Sequence, residues 1–215
     1  MKLFGVFWFY LLTIGVASYA VFAYGFMPLG SLVHPDMKLN FLAHKAGIYT
    51  HVFASALALL LSPLQFSASL RKARPRLHRV IGRLYLGIGV MLGGLSGLYM
   101  ALHAFGGPAA KAGFFFLAVF WLFTGLRAYR AIRGGDVRAH REWMIRNVSL
   151  TLAAVTLRIY LTSSMLAGIP FEQAYPVIAW LCWVPNLLVA AWVVRRTHDN
   201  PLDTGGLRRS ARSAR

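Results

Sequence analysis

The chain has 215 residues, 58% of them hydrophobic and only 13% charged, with a mean hydropathy of +0.57. A soluble domain usually carries about 25% charged residues, so the composition excludes an ordinary water-soluble fold and points to the bilayer as solvent. The net charge of +17 does not indicate nucleic acid, because the basic residues fall in short stretches between apolar runs and leave no free basic face.

Six apolar segments are each long enough to cross about 30 Å of hydrocarbon at about 1.5 Å per residue. They run from about Leu3 to Gly25, Ala43 to Leu70, His78 to Phe105, Ala109 to Arg130, His140 to Leu166 and Tyr175 to Val194. Helix is the only open-chain solution in lipid, because every backbone N–H and C=O must be paired within its own segment. The expected fold is therefore an all-α, polytopic membrane bundle of six transmembrane helices over residues 1–196. A basic cytoplasmic tail, 197–215, is polar enough to stay disordered. The first segment resembles a signal peptide up to Ser18-Tyr19-Ala20, but its hydrophobicity continues through Tyr24, which favours a retained helix.

The loops set the orientation. Lys2 and the arginine-rich stretches 71–83, 127–146 and 195–215 fall at one end of the alternating helices; only Lys38, Lys45 and Lys111 fall at the other. Positive residues mark the cytoplasmic side, so both termini are expected inside, in a bacterial inner membrane. At the far end, 27–40 contains Pro28, Gly30 and Pro35 and reads as a loop, while Gly106-Gly107-Pro108 and Gly168-Ile169-Pro170 read as tight turns.

Ionisable groups are expensive in a membrane, so the face they share is informative. At about 100° per residue, offsets of 7, 11, 18 and 25 return to nearly one face. That places His44, His51 and Gln65 together on the second helix, and His78, Tyr85, Tyr99 and His103 together on the third. On the fifth it groups His140, Asn147, Thr151 and Arg158. The sixth helix adds Trp180, Trp183 and Asn186 around Pro185. The first and fourth helices read as outer walls. By helix rise, His51 and Arg158 stand about 27 Å above the basic end. Two polar clusters are expected: an inner one with His78, His140, Arg79, Arg83, Arg141, Arg146 and Gln65, and an outer one with His44, His51, His103 and Arg158.

Histidines facing one another at two levels suit haem b, whose iron takes neutral imidazole and whose propionates pair with arginine. His78 with His140 would be the inner ligands, His51 with His103 the outer ones, and Arg83 and Arg146 the anion partners. A copper or zinc ion on His44, His51 and His103 is the other cofactor reading. The single Cys182 excludes a disulfide framework or a paired-cysteine metal motif. No nucleophile–base set or phosphate-binding glycine loop is present, so an enzyme is not expected.

The strings Pro63-Leu64-Gln65, His78-Arg79-Val80-Ile81-Gly82-Arg83-Leu84-Tyr85, His140-Arg141-Glu142-Trp143-Met144-Ile145-Arg146 and Trp180-Leu181-Cys182-Trp183-Val184-Pro185-Asn186 resemble a bacterial membrane family. It is the domain-of-unknown-function family numbered 2306, and the likeness covers about Ala43 to Asn186. It implies a multi-pass membrane protein and brings no activity. More loosely the chain looks like the cytochrome b561 class, which implies electron transfer through haem; that class uses histidines from four central helices, and here the fourth helix has none. The expected function is thus a haem-binding or redox-associated membrane protein, with lipids, a quinone or another membrane redox protein as partners. The alternative is a non-redox solute or ion transporter, or an assembly partner of a larger complex, with Asn147, Arg158 and Asn186 along its path.

Overall fold

A computed structural model of the chain describes residues 2–198; the tail expected over 197–215 falls almost wholly outside them. Among the described residues the structure is helical, without strands. Six helices are long and apolar enough to span a bilayer: α1 Lys2–Gly25, α3 Lys45–Phe66, α5 Pro75–Leu102, α6 Gly107–Arg133, α7 Val137–Leu166 and α8 Phe171–Thr197. Two short helices, α2 Pro35–Ala43 and α4 Ala68–Ala73, lie between spans.

The turns follow their sequence. Gly106 and Gly107 take φ of 89° and 72° before Pro108, which lets α6 start at Gly107, five residues after α5 ends at Leu102. Asp136 accepts a hydrogen bond from the Ala139 N–H at 2.8 Å and so caps α7. The second span ends sooner than its hydropathy suggests, because Ser67 breaks it and then caps α4.

Three expectations are corrected. The segment 27–40 is not all loop: Pro35 opens α2, with its ring at a position that needs no N–H, Asp36 favours the helix start, and Phe41 is buried. The fourth span is not an outer wall. α6 packs against α5, α7 and α8, and Trp121 and Thr124 are buried on it. Hydropathy hides this, because tryptophan and threonine count as membrane-compatible whichever way they face. Finally, the third span does not keep one polar face. Tyr85 is fully buried whereas Tyr99 is 44% exposed. The stretch Tyr85–Leu92 between them is π-helical, so each residue there turns by less than the α-helical 100° and the face arithmetic fails across it.

α1 lies at the edge, as its lack of ionisable groups suggests, and packs on α3 through Ala17, Ala20 and Ala56. Without a hydrophobic drive between helices in lipid, small residues earn close van der Waals contact. The same holds for Gly89, where an added Cβ would come 2.9 Å from that of Ala58.

Candidate functional site

The most completely satisfied polar group is structural. The Tyr85 hydroxyl donates to Oδ1 of Asn147 at 2.7 Å and lies 2.8 Å from the Thr151 hydroxyl. Trp121 Nε1 donates to Thr151 Oγ1 at 2.9 Å. Asn147 Nδ2 donates to the Trp121 carbonyl and to Thr124 Oγ1, each at 2.8 Å. This network ties α5, α6 and α7 together with no atom of Asn147 exposed. Asn186 does similar work on α8: its amide donates to the Ser149 and Cys182 carbonyls and to Thr156. Thr156 also donates to the Cys182 carbonyl. These bonds cover backbone at the turn where Cys182 and Trp183 interrupt the helix before Pro185. Asn147 and Asn186 thus spend their amides on contacts between helices.

Above this network, in the half of the bundle away from the arginine-rich end, lies a cavity of about 1070 Å³. Trp121 and Thr151 form part of its floor, and its walls are mostly apolar. Arg158 and His51 are its two nitrogen-bearing side chains of most interest. His51 Nδ1 is 2.8 Å from the Gly93 carbonyl, to which it donates, leaving Nε2 as the acceptor. Arg158 Nη1 donates to the Ala154 carbonyl at 2.8 Å, and the guanidinium lies 5.6 Å from the Tyr19 ring centroid on α1. His51 and Tyr24 stand within electrostatic reach of it. Ser55, also on the wall, has a buried hydroxyl without a partner. His51 and Arg158 were legible as polar residues at this depth; Tyr19, Tyr24 and Ser55 carry no sequence signal that separates them from belt or packing residues.

His103 does not join His51. It lies against His44, the rings tilted by 40° with centroids 3.9 Å apart, and its Nδ1 is 3.0 Å from the Tyr99 carbonyl. The carbonyls that receive His51 and His103 are six residues apart on α5, about 9 Å by helix rise. His44 Nδ1 meets the Tyr99 hydroxyl at 2.6 Å. Asn40 of α2 donates to the His103 carbonyl. The trio His44, His51 and His103 is thus split between two places. Among the described residues, the group of three metal-ligating side chains with converging donor atoms is His34, Asp36 and Glu172 instead. His34 stacks on Phe171 at 4.2 Å and lies 3.5 Å from Asp36 and 3.9 Å from Glu172. It ties the segment before α2 to the start of α8 and is one of the residues that line the cavity.

At the arginine-rich end, His78 and His140 lie within electrostatic reach of each other. His140 Nδ1 is 2.9 Å from the Ala128 carbonyl. His78 has a buried Nδ1 without a partner and lies within electrostatic reach of His140, Arg71 and Arg79. Gln65, 8% exposed, turns its amide against Gly82, one turn along α5 from His78, and its Nε2 is also unpartnered. Arg83 is exposed; Arg146 lies over the Trp143 ring at 5.0 Å, opposite Arg127 at 5.1 Å.

Residues 48–194 match the family described as Predicted membrane protein (DUF2306). The chain belongs to this family. The matched stretch runs through the five spans from α3 to α8 and includes Tyr85, Asn147, His78, His140, His51 and Arg158 of this chain. No curated protein and no solved structure is significantly similar to the chain.

Proposed function

We propose that this DUF2306 protein takes an amphipathic molecule from the lipid phase and holds it in the cavity beside Arg158 and His51, as a binding or transport protein. The observation that carries the reading is the cavity itself. Its volume of about 1070 Å³ is at the upper end of small-molecule sites, about 300–1,000 Å³, and mostly apolar walls with a few convergent polar groups are what such sites share. The seam between α1 and α7 offers a route of entry from the membrane: α1 packs along α3 but touches α7 sparsely, through the small cluster of Ala17, Ala20 and Val155 and through Arg158 over the Tyr19 ring. With arginine-rich loops on the cytoplasmic side, the cavity lies in the outer half of a bacterial plasma membrane. Native mass spectrometry of protein extracted in mild detergent tests this. A lipid-phase molecule should stay bound and be lost in Leu157→Trp, which fills the wall; an empty wild-type protein would end the proposal.

A second reading, redox work with haem b, is favoured by one observation. His78 keeps an unpartnered buried nitrogen within electrostatic reach of His140, whose Nδ1 is fixed by the Ala128 carbonyl, as hydrogen bonds to the far ring nitrogen fix metal-ligating imidazoles. These two would hold the iron and Arg83 would reach a propionate, with a quinone in the cavity or another membrane redox protein exchanging electrons. His51 and His103 do not fit as a second pair. A dithionite-reduced spectrum after haem-replete expression checks this reading: bands lost in His78→Ala and kept in His103→Ala support it, and no Soret band removes it.

A further inference from the structure

We infer that the molecule held in this cavity carries one negative charge, a carboxylate or phosphate-type oxyanion on an apolar chain, and that Arg158 is its counter-ion. The inference rests on the cavity reading above and deepens it.

Arg158 is a cation that cannot lose its proton. A lone arginine in a span normally relieves itself by reaching for the nearer headgroups. This one does the reverse. It stands eight residues, about 12 Å, from the end of α7 at Leu166, yet its Nη1 folds back by one turn to the Ala154 carbonyl, towards the middle of the span. Nor is it neutralised by the chain. Among the described carboxylates, Asp36 and Glu172 lie beside His34, Glu142 beside Arg138, and Asp136 caps α7; none pairs with Arg158. Its contacts are a carbonyl dipole and the face of Tyr19, which stabilise a cation only in part.

The surroundings leave the anion's place open and complementary. A guanidinium offers a planar fork of donors suited to an oxyanion, and one donor is spent on Ala154. His51 spends its Nδ1–H on the Gly93 carbonyl and so has only Nε2 left to meet the head of a ligand, which leaves Arg158 as the one fixed cation named at the site. Beyond the head the walls are apolar, formed by residues such as Val16, Ala20, Val52, Ala56 and Leu59 along the α1–α3 contact. That is room for an acyl or isoprenoid chain.

The test uses the full chain in nanodiscs of phosphatidylcholine, with radiolabelled palmitate, dihexadecyl phosphate (a monoanionic diester) and hexadecanol as probes and decyl-ubiquinone as a neutral competitor. The anions should bind at least about tenfold tighter than the alcohol, the size of one charge-assisted hydrogen bond. Comparing palmitate with the phosphate separates a fatty-acid source from a lipid-phosphate source. Arg158→Gln should bring the anions to the alcohol's affinity and leave the alcohol unchanged, while Arg158→Lys keeps part of the preference. Equal wild-type affinity for alcohol and anions, or displacement by decyl-ubiquinone without any anion preference, overturns the inference and leaves the cavity reading standing. If no probe binds, both fall. Should Arg158→Gln not fold, the wild-type comparison of anion with alcohol still decides.

Discussion

The hydroxyl of Tyr85 lies 2.7 Å from Oδ1 of Asn147, joining residues 62 apart in sequence across the buried centre of the bundle. The same hydroxyl meets Thr151, which in turn accepts from Trp121. Three spans are thereby held in one register at the cavity floor. Hydrogen bonds between membrane helices contribute about 0.6 kcal/mol on average, so Tyr85→Phe should cost about 1 kcal/mol. Asn147→Leu strips partners from Tyr85 and Thr124 at once and should cost about 2–3 kcal/mol, since buried groups are left unpaired. Thermal unfolding in detergent checks the order; equal melting of the two variants would contradict it.

Gly113 on α6 faces the backbone of α8. A Cβ there would stand 2.9 Å from the Ala179 carbonyl oxygen, and backbone cannot swing aside. Gly113→Ala should destabilise the protein by about 1–3 kcal/mol, as overpacking does. Gly87→Ala meets nothing within 4 Å and should be neutral or stabilising by up to about 1 kcal/mol from helix propensity. The pair share one chemical change, so a matching loss of melting temperature in both would show that α6 and α8 do not approach so closely.

Cys182 is fully buried at the turn within α8. Its thiol should resist maleimide in the folded protein and react completely once the chain is denatured. Mass spectrometry of the labelled protein reads the result, and rapid modification under native conditions would mean that this turn opens to solvent or that α8 sits elsewhere.

Orientation is testable at the two ends of α7. Val137 is 65% and Leu166 80% exposed, so a cysteine at either place should label readily in a Cys182→Ala background. In intact spheroplasts an impermeant maleimide should reach Leu166→Cys at once, and Val137→Cys only after permeabilisation. The reverse pattern would mean that the arginine-rich loops face outward, against the rule that they stay inside.

How far the site could be read beforehand depended on how regular each helix is. On α7 the face shared by His140, Asn147, Thr151 and Arg158 survives folding: His140 bonds to α6, Asn147 and Thr151 join the central network, and Arg158 lines the cavity. On α5 the same arithmetic separates in space what it joined in sequence, because π-helical turns between Tyr85 and Leu92 rotate Tyr99 and His103 off the face of Tyr85. Trp121 and Thr124 could not be picked out, since neither is charged and burial is decided by neighbours.

The sequence alone determined the number of spans, the arginine-rich end and the membrane as solvent. These are sums over many residues, in which single side-chain positions cancel, and each follows from the cost of unpaired backbone and charge in hydrocarbon. Only the tertiary structure decided which polar residues meet: that Tyr85 bonds to Asn147 and Thr151, that His44 rather than His51 lies against His103, and that Arg158 turns back to Ala154 without a carboxylate partner among the described residues. Such meetings depend on helix phase and on approach distances of a few ångströms. One π-helical stretch or one glycine facing a neighbouring backbone is enough to change them.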